Sequence, residues 1–236
     1  MSPLLEARGL CTGYGTIQVV HGVDLTVDAG EIVVLLGPNG AGKSTTLKSV
    51  VGELPSISGT LHWRGQPSDG PLHARARQGI SYIPEERAVL MRLSVMENLR
   101  VAAGRPEEAA AVFPELANHL ARPVGQLSGG QQRMVSVAAA LGARPKLLVA
   151  DELSLGLAPA IVTRVLGRVR VAADEGLGVL LVEQHAGQAL AIADRAMVMV
   201  RGRIVWAGTA HEALASIDEL HELYLGTAEG GSQNGR

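Results

Sequence analysis

The chain has 236 residues, of which 47% are apolar and 19% charged. That length suits one large domain, or a domain carrying a subdomain, with enough apolar side chains for a core. Lys and Arg total 21 against 23 Asp and Glu, a formal net charge of -2, and aromatic residues make up only 3%. Both argue against a nucleic-acid partner, which needs a basic surface or a base-stacking platform. The single cysteine, Cys11, excludes an intramolecular disulfide framework and a thiolate zinc cluster, and it reads as a small buried apolar residue. No apolar run approaches the roughly 18 residues of a membrane span, and no basic-then-apolar stretch opens the chain. A cytoplasmic protein that does not itself cross a membrane is expected.

Val23, Leu25 and Val27 alternate with polar residues, the period of a half-buried strand. Asp28-Ala29-Gly30 reads as a tight turn, Ile32 to Leu36 as a short buried strand and Lys43 to about Val51 as a helix. Gly59 to Trp63 is a further strand before a turn at Arg64-Gly65. Ser94 and Glu97 have capping-box spacing, and Pro106 suits the first position of another helix. The Ala-rich stretch from roughly Leu93 to Arg122 reads as mainly helical, a subdomain inserted into the main fold. Strand Leu147 to Ala150, helix Pro159 to Ala173, and strands Gly178 to Val182 and Met197 to Val200 follow. Such alternation implies an α/β fold, a parallel sheet with helices on its faces. The Gly-rich residues 227–236 read as a disordered tail.

Three motifs carry chemistry. Gly37-Pro38-Asn39-Gly40-Ala41-Gly42-Lys43-Ser44 matches G-x-x-x-x-G-K-[ST] between an expected strand and an expected helix. Glycines there let backbone N–H groups close around phosphate oxygens, and the helix N-terminus adds its dipole. Lys43 would reach the β- and γ-phosphates of ATP, and Ser44 would offer its hydroxyl to Mg²⁺. In Leu147-Leu-Val-Ala-Asp151-Glu152, two acids emerge at the C-terminal end of a buried strand, where open α/β sheets bind ligands. Asp151 would hold Mg²⁺, and Glu152 would orient the attacking water. Taken alone, these two would read better as solvated acids. In Leu127-Ser128-Gly129-Gly130-Gln131, Ser128 and Gln131 again have capping-box spacing. Two glycines in a first turn cost about 1 kcal/mol each, which suggests a use: a second anion-binding terminus serving another subunit's nucleotide.

In this order the three motifs resemble the nucleotide-binding subunits of ABC transporters, from about Leu5 to Gly226. The resemblance implies a P-loop NTPase core with a mostly parallel sheet, an N-terminal antiparallel β subdomain and a helical subdomain inserted at about 90–143. The ABC domain would span 4–226. It extends the nucleotide-binding set through Thr45, places Tyr14 against the adenine and makes His185 the switch histidine at the γ-phosphate. Ser154-Leu-Gly-Leu157 would cross the dimer interface, and Ser128, Gly129, Gly130 and Gln131 would close on the partner's ATP. Glu85 stands where most relatives carry a glutamine that senses Mg²⁺, water and the membrane partner.

Tyr82-Ile-Pro-Glu85-Glu-Arg87, Val95-Met-Glu-Asn-Leu99, Ser154-Leu-Gly-Leu-Ala-Pro159, Val182-Glu-Gln-His185 and Glu222-Leu-Tyr-Leu-Gly226 resemble one branch. This is the smaller ATP-binding subunit of branched-chain amino acid importers; urea and short-amide importers share much of it. The branch implies transmembrane permease subunits, a second ATP-binding subunit (heterodimer or homodimer) and, indirectly, an extracytoplasmic binding protein. The chain would sit on the inner face of the cell membrane. A soluble, non-transport ABC ATPase and a non-catalytic nucleotide-binding partner are the alternatives. Leu153 replaces the usual proline, Ala139 replaces a usual arginine, and the segment between Glu85 and Leu127 is short.

Overall fold

The computed structural model describes residues 2–86, 88–103, 105–184, 186–217 and 219–220. Arg87, His185, the Glu222–Gly226 ending and the expected tail lie outside the described residues. β1 (Leu5–Tyr14) and β2 (Ile17–Val27) form a hairpin whose two-residue turn uses Gly15 at φ 57°. β3 (Ile32–Leu36) leads through the glycine loop into α1 (Lys43–Val50). β4 (Ser56–Trp63) and the short β5 (Gln66–Pro67) complete an antiparallel sheet in the order β2-β1-β4-β5. Neither β1 nor the length of β2 was readable from alternation, because turn-like glycines at 9 and 22 interrupt the pattern.

α2 (Leu72–Arg77) and β6 (Ile80–Ile83) precede the helical segment. There α3 (Val95–Ala103) and α4 (Pro106–Ala111) give way to 3-10 turns at Pro114–His119 and Val124–Gln126, then to α5 (Gly129–Gly142). Glu97 accepts hydrogen bonds from the Ser94 N–H and hydroxyl, each at 2.7 Å, and thereby caps α3. The region is more broken than its Ala-rich composition suggests. Pro106 and Pro114 each open a new element because proline cannot donate to a preceding turn.

β7 (Leu147–Asp151), α6 (Pro159–Asp174), β8 (Gly178–Val182), α7 (Ala186–Leu190), β9 (Arg195–Val200), β10 (Arg203–Thr209) and α8 (Ala210–Ala215) complete the chain. The second sheet runs β10-β9-β3-β8-β7-β6, parallel throughout except for the antiparallel β10 edge. Its central strands are buried on both faces, so they read as continuous apolar runs. Their side chains divide by the two-residue period. Val34, Leu148 and Leu181 join one core with the helical segment and α6, while Val33, Val149 and Leu180 join another with α1 and the antiparallel sheet.

One local expectation changes: Cys11 is only partly buried, and its sulfur accepts a hydrogen bond from the Gly22 N–H. Leu153, in place of the usual proline, is fully buried in the core, where its bulk packs. Arg75, unforeseen from the sequence, is buried and donates to the Ser49, Ser68 and Gly70 carbonyls, stapling the C-terminal end of α1.

Candidate active site

Local geometry shapes the loop between β3 and α1. Gly37 has φ 151°, and a Cβ there would meet the Met199 carbonyl oxygen of β9 at 2.2 Å. Gly42 caps α1 in the left-handed region, at φ 103°. Lys43 is buried and curls back, its Nζ donating to the Gly37 and Pro38 carbonyls at 2.7 and 3.0 Å. Burial pulls its pKa down, while the carboxylates of Glu152, Asp151 and Glu85 push it back up. The ammonium therefore sits in the loop's cradle, held by neutral carbonyl acceptors and within the field of three acids.

β3, β7 and β8 are adjacent and parallel, so their C-terminal ends open on one edge. A cleft of about 440 Å³ lies there, lined by the loop from Asn39 to Thr45 together with Tyr14, Glu85, Glu152 and Gln184. An adjoining cavity of about 660 Å³ shares Ser44 and Glu85 and adds Asp151 and Tyr82. Tyr14 is 47% exposed at the end of β1, which removes the reading of a buried core tyrosine. The structure thus brings the glycine loop, Tyr14, both acids and Glu85 together. It leaves Ser128 to Gln131 outside the cleft.

Asp151 is buried, and burial is the main reason that its pKa rises; a hydrogen bond from Ser44 opposes the shift. Its Oδ1 is buried with no hydrogen-bond partner. An orphaned carboxylate oxygen beside a serine hydroxyl fits a hard cation with oxygen ligands. Among the described residues no three His, Cys, Asp or Glu gather as a metal-holding group. Asp151, Glu152 and Glu85 share an electrostatic field rather than a ready ligand shell.

Glu152 takes φ 48°, rare for a residue with a side chain. Its N–H donates to the Val182 carbonyl of β8 at 2.9 Å, and its carbonyl accepts from Arg133 at 3.3 Å. Arg133, on α5, also donates to the Pro84 and Glu85 carbonyls. Sequence reasoning missed Arg133, Gln184 and Tyr82. Only their closeness in sequence to Ser128–Gln131, to His185 and to Glu85 could have drawn notice.

The capping box at α5 forms: Ser128 Oγ accepts from the Gln131 N–H at 3.3 Å, and Gln131 Oε1 accepts from the Ser128 N–H at 3.0 Å. Gly130 has a packing reason as well, since a Cβ there would meet Ile161 Cγ2 of α6 at 3.1 Å.

Residues 20–154 match the family model described as ABC transporter. The chain belongs to this family. It is 40% identical over 233 residues to the high-affinity branched-chain amino acid transport ATP-binding protein BraG of Pseudomonas aeruginosa, covering 94% of this chain and all of that one. It is 39% identical over 234 residues to the lipopolysaccharide export system ATP-binding protein LptB of Escherichia coli K12, covering 94% and 97%. A solved ATP-binding subunit of an ABC transporter superposes with a TM-score of 0.82 at 30% identity, over 94% of this chain and 99% of that one. An ATP-binding cassette in its ADP conformation gives a TM-score of 0.86 at 24% identity, over 96% of this chain and 100% of that one, a likeness of fold. The chain is thus an ATP-binding, ATP-hydrolysing subunit of an ABC transporter, a family whose subunits dimerise and serve transmembrane permease components. No helix of the described residues is long and apolar enough to cross a membrane.

Proposed function

We propose that this chain energises an importer for branched-chain or related amino acids, closing head to tail with a second ATP-binding subunit around two ATP molecules. The observation that carries the chemistry is the convergence of Lys43, Ser44, Asp151, Glu152 and Glu85 on one strand edge. The loop from Gly37 to Thr45 cradles the phosphates, and Lys43 leaves its carbonyl partners for the β- and γ-phosphates. Tyr14 stacks on the adenine. Mg²⁺, when bound, supplies charge neutralisation at the phosphate oxygens; Ser44 and Asp151 would hold it, with Glu85 bearing on it through its charge. Glu152 orients water, whose oxygen attacks the γ-phosphorus as the bond to the ADP oxygen breaks. His185 and Gln184, of which Gln184 lines the cleft, are the two candidates for the γ-phosphate contact at the end of β8. Ser128 to Gln131 serve the partner's nucleotide, so closure completes the site.

The amino-acid substrate is supported by BraG and by a probable branched-chain amino acid transport ATP-binding protein of Archaeoglobus fulgidus, 34% identical over 96% of this chain. The near-equal match to LptB favours a second reading, in which the same chemistry drives lipid export. Affinity isolation from gently solubilised native membranes, with partners identified by mass, tests both. Multi-span permeases, a second ATP-binding subunit and an extracytoplasmic amino-acid binding protein are expected. Lipid-transport partners would establish the second reading, and soluble partners alone would overturn both.

A further inference from the structure

Glu183 is the penultimate residue before His185 and sits just past the end of β8, with 1% of its surface exposed. A carboxyl so deeply buried is costly unless it is fully engaged. Its two oxygens are spent on one residue of the neighbouring loop: Oε1 accepts from the Ser154 N–H at 3.0 Å, and Oε2 accepts from the Ser154 hydroxyl. Burial pushes the carboxyl up and the Ser154 hydrogen bonds pull it back; the charge of Glu152 adds to the rise and that of Arg133 opposes it. The loop that Glu183 grips begins at Glu152, in a left-handed conformation that residues with side chains keep only where their surroundings over-determine it. β8 holds the Glu152 N–H through Val182, and α5 holds its carbonyl through Arg133. Beyond it, the Leu155 N–H turns back to the Glu152 carbonyl at 3.3 Å, and the Leu157 N–H to the Ser154 carbonyl at 3.2 Å. Ser154 is where the outgoing half of the loop meets the sheet.

We propose that Glu183 is a positioning residue for ATP hydrolysis: by gripping Ser154 it fixes the loop that starts at Glu152 and keeps that carboxylate aimed into the nucleotide cleft. This rests on reading Glu152 as the group that orients the attacking water. Glu183 acts through hydrogen-bond geometry and does not touch nucleotide.

The test compares Glu183→Met, which keeps the shape but offers no acceptor, with Glu183→Gln, whose amide still satisfies the Ser154 N–H and faces the hydroxyl. Hydrolysis of Mg-ATP by the full chain, affinity for a fluorescent ATP analogue and thermal melting are measured together. Glu183→Met is expected to lower kcat by about tenfold or more, as a misplaced catalytic group does, with nucleotide affinity changed less than about twofold. Glu183→Gln should restore most of the rate. Ser154→Ala should give a smaller loss, and it should add nothing in the Glu183→Met background. Wild-type kcat in Glu183→Met, no recovery in Glu183→Gln, or losses that multiply in the double variant would each overturn the proposal. So would a loss that only follows the folded fraction. If Glu183→Met does not fold, Ser154→Ala carries the test, and a wild-type rate there overturns the proposal. Glu152→Gln runs alongside: hydrolysis at wild-type speed in that variant would sink the reading of Glu152 itself, whatever Glu183 does.

Discussion

Two helix starts in this chain carry the glycines and caps of the two phosphate sites proposed above, and they are finished to different degrees. The α1 start lies at the edge where three parallel strands end, with Lys43 buried over the loop and three acids within electrostatic reach. The α5 start, at Ser128, is exposed, is capped by its own Ser128 and Gln131 side chains, and does not line that cleft. One end gathers charged groups around it within a single chain. The other, in the proposal above, is used only when a second chain closes on it. Binding and hydrolysis should therefore separate: the first depends on the α1 end, the second on both.

The largest effect expected is on the α1 side. Glu152→Gln should lower hydrolysis by roughly a thousandfold, as loss of a group acting in the transition state does, and accumulate an ATP-bound dimer visible by size-exclusion chromatography. Full-speed turnover would remove Glu152 from the mechanism. Lys43→Ala should weaken nucleotide binding by about tenfold or more; unchanged titrations with a fluorescent analogue would break the P-loop assignment. Arg75→Ala removes the guanidinium that donates to four carbonyls, those of Ser49, Val50, Ser68 and Gly70. It should cost roughly 2–4 kcal/mol in denaturant unfolding, and a smaller loss would mean that water replaces the guanidinium.

Ser128→Ala sharpens the contrast from the α5 side. Losing the cap should cost about 1 kcal/mol and slow hydrolysis, while affinity of the isolated chain for ATP stays as it was. A parallel loss of affinity would show that the α5 start contributes to its own chain's site. The smallest effect concerns pH. Burial raises the Asp151 and Glu183 carboxyls, so between the unfolded value near about 4 and the raised folded values the folded chain holds the extra protons. Stability of the nucleotide-free chain therefore falls as pH rises through that window. Asp151→Asn should flatten this slope and raise the melting temperature at neutral pH. An unchanged or steeper slope would mean that Lys43 already compensates Asp151.

The sequence made the local devices legible. Glycines before Lys43, the Ser-x-x-Glu and Ser-x-x-Gln caps and the apolar strand running into Asp151 all act within a few residues of themselves. Backbone conformation, capping and strand period are decided at that range. What went unread spans long separations: Arg75 on Ser49, Arg133 on Glu85 and Glu152, Glu183 on Ser154, and Gly130 against Ile161. None of these pairs leaves a periodic or spacing signal. Tyr82, whose hydroxyl is buried without a partner beside Asp151, likewise looks like any strand residue until β6 and β7 pair.

The sequence by itself determined which groups are available and how each is presented by its own turn of helix or end of strand: the glycine loop before Lys43, the two acids and the capped glycine helix. Only the tertiary structure decided which of them share a cleft. Parallel pairing puts the ends of β3, β7 and β8 on one edge, while Ser128 to Gln131 at the start of α5 do not line the cleft there. The physical reason is one of range. Dihedral preferences and caps are satisfied within a turn or two, whereas strand order and the pairing of buried polar groups are set by packing the whole core at once.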